Sequence, residues 1–384
     1  MMNFEGRVSI EVVRGCSGGA VTIAFTQPGR IDRVLRGKTS AQAMELVPTL
    51  FSLCAMAQTQ AAQCAIDAAS SEEAGSNADL ACRQCLTEME TLRENALRIA
   101  CDWPRFLGEA VDKRPLKPLM RLVPELNAAL AGGAALRIDR AQAYEIIGAA
   151  EAILQDFIFA ESLAVWDQRR SADAVKEWAG AARTPAARLL ARTAQAGWEM
   201  AGLSPVIPLQ PLATEDVCNW LNETGAGLDK LPAPQRSAIP ETTLLARHVC
   251  DSRLANPGAT MYPECGLWDR LVARLIELSA LPGRMRDLID DRAKPDAGRT
   301  VGAGIGMSEV LAARGKLSHV AKIEHGRIID YRILPPTRWN FDANGIAARA
   351  LHHVTNFHAE DAELLSELVV NAIDPCVGHT VRIN

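Results

Sequence analysis

The spacing of apolar positions changes character along the chain. Residues 6–26 alternate, with Arg7-Val8-Ser9-Ile10-Glu11-Val12-Val13, then Ser17-Gly18-Gly19, then Ala20-Val21-Thr22-Ile23-Ala24-Phe25. Period-two runs either side of a Ser-Gly-Gly turn predict an antiparallel hairpin. Thr39-Ser40 can cap a helix starting near Ala41, and the Ala-, Leu-, Met- and Gln-rich stretch to Ala69 predicts two helical pieces interrupted at Pro48. Residues 76–107 keep a helical period with charge on one face, and further helical patterns cover 117–131, 139–168 and 172–200. Six prolines between 203 and 240 predict an extended surface connection. A helix over 267–278 and a Gly-rich turn region over 294–306 follow. Strands over 317–324 and 327–334 flank a His325-Gly326 turn, and a helix near 360–371 leads into a loop at Cys376. The expected fold class is α+β, mainly helical, with the N-terminal hairpin and the C-terminal strands packed on a long-helix core.

Composition narrows the function. Of the 384 residues, 48% are hydrophobic and 23% charged, enough to bury a substantial core. The net charge of -5, with no block of Lys or Arg, argues against nucleic acid as the main partner. No apolar run approaches the ~20 residues needed to span a bilayer, and the first residues do not read as a secretory signal, so a soluble, cytoplasmic protein is expected. In that compartment the ten cysteines are expected to be free thiols, mostly small buried side chains such as Cys64. Cys82 and Cys85 have redox spacing but lie in a helical pattern with no second pair, so neighbours on a helix face are expected there. His352, His353 and His358 form a cluster without an accompanying Cys or carboxylate framework, and a structural role is expected.

The chain's two ends carry the chemistry. The C-terminal run Asp374-Pro375-Cys376-Val377-Gly378-His379-Thr380-Val381-Arg382 resembles the Asp-Pro-Cys-x-x-Cys-x-x-His/Arg motif of the large subunit of nickel-iron hydrogenases, with His379 at the second Cys. Leu53-Cys54-Ala55-Met56-Ala57 sits in the register of that family's Arg-x-Cys-Gly-x-Cys, with Ala57 at the second Cys. Three further stretches are similar to the family's other signatures: Phe4-Glu5-Gly6-Arg7-Val8-Ser9-Ile10-Glu11, then Gly29-Arg30-Ile31-Asp32, and then Ala312-Ala313-Arg314-Gly315 with Gly326-Arg327-Ile328 and Pro336-Thr337-Arg338-Trp339-Asn340. The resemblance implies one domain over 1–384, with motif-bearing ends at 1–70 and 307–384, a helical body over 71–200 and the Pro-rich connection at 203–240.

In the family four thiolates hold nickel, and two of them bridge to an iron that carries cyanide and carbon monoxide. The resemblance assigns Cys54 and Cys376 to the non-bridging positions and removes both bridging thiolates. Nickel would lose two soft ligands, whereas an iron already holding three diatomic ligands needs few protein donors. His379 is an alternative imidazole donor, with a solvent-facing or hydrogen-bonded loop histidine as the plainer reading. Arg314 would place a fixed cationic donor on the cyanide nitrogens, and no anion adjacent in sequence offers it another partner. Thr337, after Pro336, would donate to a cyanide. Glu5 matches a proton-relay glutamate, a role in doubt without nickel. Where relatives bind magnesium, Arg382 would pair with an acidic side chain such as Asp32, so no magnesium is expected.

These departures resemble the HupK/HoxV branch, the hydrogenase expression/formation proteins. The resemblance implies a non-catalytic scaffold that transiently holds an Fe(CN)2(CO) unit for the hydrogenase large subunit precursor. HypC/HypD-type maturation proteins or related small chaperones would be partners, and no nickel would bind. A chain ending two residues after Arg382 is expected to undergo no C-terminal cleavage. A metal-free interaction protein and a degenerate oxidoreductase are the competing readings.

Overall fold

The structure is a computed structural model that describes residues 6–14, 19–26, 31–51, 53–70, 76–130, 139–223, 231–232, 239–255 and 262–384, without the side chains of residues 31 and 32. In chain order, β1 (Arg7–Val13) and β2 (Ala20–Thr26) form the hairpin, followed by α1 (Ile31–Leu35), α2 (Ser40–Leu50), α3 (Ala55–Ser70) and α4 (Asn77–Cys101). The helical body continues with α5 (Trp103–Phe106), α6 (Leu116–Leu130), α7 (Arg140–Leu154), a π-turn over Gln155–Phe159, α8 (Leu163–Trp166), α9 (Ala172–Ala181) and α10 (Pro185–Gln195). Then come β3 (Ser204–Pro205), α11 (Thr214–Asn222), α12 (Leu244–His248), β4 (Glu264–Cys265) and α13 (Leu267–Ile289). The last part holds β5 (Arg299–Gly302), β6 (Ile305–Ala312), β7 (Gly315–Glu324), β8 (Arg327–Leu334), α14 (Pro336–Asn340), α15 (Ile346–Val354), α16 (Ala359–Ile373) and β9 (Gly378–Ile383).

Alternation makes the hairpin: Val8, Ile10 and Val12 are buried while their neighbours face outward. The strand order β2-β1-β9 was not legible, because the chain's last residues lie parallel to β1 rather than in a loop. The other large sheet, β5-β6-β7-β8, is an antiparallel meander. Its second half was expected, whereas β5 and the start of β6 occupy the Gly-rich region read as turns. Gly298 and Gly306 have a packing reason. A Cβ there would lie 2.0 Å from the Cys64 carbonyl oxygen and 2.1 Å from that of Ala65, so glycine lets this part of the chain lie against the backbone of α3.

Pro48 does not interrupt its helix. It sits in the last turn of α2, whose start is fixed by a Thr39/Gln42 capping box, and the break comes instead at 51–54, beside Cys54. The pattern over 139–168 is divided by the π-turn, which ends at left-handed Ala160. The Pro-rich connection is not wholly extended, since α11 buries Val217 and Trp220.

The helix expected over 267–278 runs on through Pro282 to Ile289 and is buried on nearly every side. Its charged residues are therefore paired. Arg270 meets Glu241 at 2.6 Å, and Glu277 takes Arg247 at 2.9 Å, His248 at 2.7 Å and Arg284. The main core joins these helices to β1, β2 and α16, so both chain ends close on the same helical body.

Candidate functional site

One buried arginine bonds a cysteine from one end of the sequence, and its charge reaches a cysteine from the other. Cys54 stands immediately before α3 with φ +55°, an uncommon conformation for a residue with a Cβ. It packs among Ala57, Val310, Ala312, Ala313 and Leu317. Cys376 follows α16, whose end is turned by Asp374 at φ +62°. Arg314 occupies the two-residue turn between β6 and β7, and the following Gly315, at φ +129°, leaves no room for a Cβ beside the Thr242 carbonyl oxygen at 2.1 Å. Asn340 supports the same corner, accepting from the Thr242 N–H at 2.9 Å and donating to the Arg314 carbonyl oxygen at 3.5 Å.

The guanidinium of Arg314 is 4% exposed and fully engaged. Nη1 donates to Cys54 Sγ at 3.3 Å, Nε to Asp374 Oδ1 at 3.1 Å and Nη2 to Glu94 Oε2 at 3.1 Å. This corrects the sequence argument that no other anion would hold it: the anions come from α4 and α16, distant in sequence. Asp374 also takes Arg98 at 2.9 Å and Arg274 at 3.5 Å. Burial pushes the Asp374 carboxyl up, but the Arg314, Arg98 and Arg274 guanidiniums outweigh it and hold it below the ordinary carboxylate range.

Pro336 opens α14 at its first helical position, and Thr337 follows with 2% exposure. The Thr337 hydroxyl accepts from the Cys376 N–H at 3.0 Å and shares a second hydrogen bond with Cys376 Sγ at 2.7 Å. The residue expected to grip a cargo ligand thus grips a sulfur here. Burial pushes the Cys54 thiol up to about 12, with Arg314 opposing, and burial raises Cys376 as well, opposed by Thr337 and Arg314. Both thiols are therefore protonated near neutrality, and both sense the Arg314 charge.

Ala57 is fully buried, and its N–H donates to Glu90 Oε2 at 3.1 Å. His379 lies on β9 opposite Val8, on the side of the sheet that Val8 turns to the core, yet remains largely exposed at the strand's start. Protein atoms crowding its ring on one side and the nearby Arg98 press its pKa down. Arg382 faces outward opposite Glu11. The expected Asp32–Arg382 pair and the role of Glu5 lie outside the described residues, because the Asp32 side chain and residue 5 do. Cys82 and Cys85 are free thiols on α4, and no group of three or more metal-donor side chains occurs among the described residues.

Sequence reasoning missed Glu90, Glu94, Arg98 and Arg274. The first three stand at four-residue spacing on α4, the charged stripe that reads as a solvent face, yet Glu90 is 2% exposed. A further buried link ties α3 to the sheet. His319 Nε2 lies 2.8 Å from Gln58 Oε1 and its Nδ1 2.7 Å from Tyr331 Oη, so the neutral ring donates to Gln58 and accepts from the tyrosine. Burial presses the His319 pKa down to about 3. An unfolded histidine takes up its proton below about 6.5 while this one does not, so stability falls as pH drops from there; by pH 4.5 the loss should reach about 2–3 kcal/mol. Denaturant unfolding of wild type and His319→Gln between pH 7 and 4.5 checks this, and equal slopes would contradict it.

This architecture, with cysteines from the two chain ends converging on a helical body, is that of nickel-iron hydrogenase large subunits. The chain matches the Ni-Fe-Se hydrogenase of D. vulgaris Hildenborough with a TM-score of 0.58 at 12% identity, covering 94% of each chain. It matches an NAD+-reducing [NiFe]-hydrogenase with a TM-score of 0.59 at 15% identity, covering 93% of this chain and 92% of that one. No family model matches the sequence. The hydrogenase expression/formation protein HoxV of Cupriavidus necator is 30% identical over 94% of this chain and 92% of its own. HupK of Azotobacter vinelandii is 29% identical over 98% of both. The chain belongs to this family of hydrogenase expression/formation proteins.

Proposed function

We propose that this protein acts in hydrogenase maturation as a non-catalytic scaffold that transiently holds an Fe(CN)2(CO) unit and passes it to the large subunit precursor. The observation that carries this reading is that the buried Cys54 thiol bonds the buried Arg314 guanidinium while the half-buried Cys376 thiol lies within reach of the same charge. Two sulfurs suit an iron that brings three ligands of its own, and each thiol gives up its proton as it binds. The absence of thiols at Ala57 and His379 leaves nickel short of soft donors and keeps the iron releasable. Arg314 and Thr337, with Pro336 shaping the turn, would exchange part of their present bonding for the cyanide nitrogens. HypC/HypD-type proteins would deliver the unit in the cytoplasm.

The test is iron analysis with infrared spectroscopy on protein co-produced with the maturation factors. Cyanide and carbon monoxide bands are expected in wild type and not in Cys54→Ala or Cys376→Ala. A folded wild type that never carries these bands would leave the metal-free interaction reading in its place.

A further inference from the structure

The two sulfur-bearing turns are built alike. Each adjoins the end of a long helix, each contains a left-handed residue, and each is held by one buried charge from the helical body. At the first turn the chain enters α3 at Cys54, whose thiol faces Arg314. Glu90 of α4 caps the helix's first amides: Oε1 accepts from the Met56 N–H and Oε2 from the Ala57 N–H, both at 3.1 Å. At the second turn α16 ends before Asp374. Arg274 of α13, 3% exposed, donates through Nη2 to the carbonyl oxygens of Asn371 at 3.1 Å and Ala372 at 3.4 Å, and to Asp374 Oδ2 at 3.5 Å.

The signs are the ones a helix calls for, an anion at its start and a cation at its end. Within α4 and α13, Glu90 and Arg274 are set in helices that pack directly against each other, so one rigid pair spans the distance between the turns. Neither charged group bonds to a sulfur. Burying both is unfavourable unless each is matched, and the backbone groups they meet make the match together with Asp374 for Arg274 and Arg93 for Glu90. Burial accordingly shifts both toward their neutral forms, Glu90 upward and Arg274 down to about 10.

We infer that Glu90 and Arg274 are positioning residues that fix the two thiol-bearing turns relative to each other before any cargo arrives. The purpose rests on the iron-holding reading, but the test does not. Full-length, reduced, cargo-free protein is titrated with cadmium ion alone, following sulfur-to-cadmium ultraviolet absorption. The site's share is the signal that a Cys54→Ser/Cys376→Ser double variant lacks. Glu90→Gln and Arg274→Gln are expected to weaken that share about 10- to 100-fold, and Arg274→Lys to recover part of it.

Glu277→Gln removes a buried charge of α13 that touches neither turn. It is expected to lower the melting temperature while leaving cadmium affinity unchanged. The inference is overturned if Glu90→Gln and Arg274→Gln bind within about twofold of wild type. It is equally overturned if Glu277→Gln weakens binding as much as they do, or if wild type shows no signal beyond the double variant. Wild type that takes cadmium at this pair but never carries cyanide and carbon monoxide bands would refute the iron reading and leave the positioning roles standing.

Discussion

Arg314→Met should lower the unfolding free energy by about 3 kcal/mol and abolish the cyanide and carbon monoxide bands of loaded protein. The change removes charge-assisted bonds to Asp374 and Glu94 and the contact with Cys54. Stripping one partner from a buried ionic group costs about 3–5 kcal/mol in general. The low end applies here, because Asp374 keeps Arg98 and Arg274, and Glu94 keeps Arg93 at 2.8 Å. Arg314→Lys keeps the charge but loses the fork, so it should recover stability better than the bands. Denaturant titration and infrared spectra of the same preparations measure both effects. A fully loaded Arg314→Met variant would remove the guanidinium from the proposed grip on cyanide.

Ala57→Cys combined with His379→Cys should make the protein take up nickel near stoichiometrically, well beyond the wild type. The change supplies thiols at the two positions to which the resemblance to hydrogenase large subunits assigns bridging ones, and added thiolates favour a soft-ligand metal. Ala57 is the more constrained of the two. It lies in the apolar cluster under β6 and β7, where an added sulfur costs packing unless it turns toward Cys54. His379 stands at the open start of β9 and can be exchanged with little disturbance. Metal analysis of single and double variants grown with nickel decides the matter. A folded double variant that holds iron but still refuses nickel would show that something other than thiolate number sets the choice.

The ends of the chain were far more legible than its middle. Period-two runs marked β1 and β2, strands flanking a His-Gly turn marked β7 and β8, and the residues around Cys54, Arg314, Thr337 and Cys376 could be named because they sit in short contiguous motifs. The partners of Arg314 could not. Asp374, 60 positions away, and Glu94, 220 away, reach it only through the packing of α4 and α16. The stripe Glu90, Glu94 and Arg98 misleads for a physical reason, because a charged helix face that is buried and internally neutralised looks in sequence like one facing water. Parallel pairing of β9 with β1 was hidden too, since only six residues form the strand and no local turn announces a partner at the other end of the chain. His319 escaped notice because an isolated histidine within a strand carries no sign of what lies beneath it.

The sheet order β2-β1-β9 bears on when the protein can work during its synthesis. Glu11 and Asn384, 373 positions apart, share a hydrogen bond, so the strand that carries the chain beyond Cys376 finds its place only after the residues between them have left the ribosome. A nascent chain therefore offers Cys54 without its counterpart. Capture of a centre that requires both sulfurs must then wait for a pairing between strands far apart in sequence, of the kind that forms late.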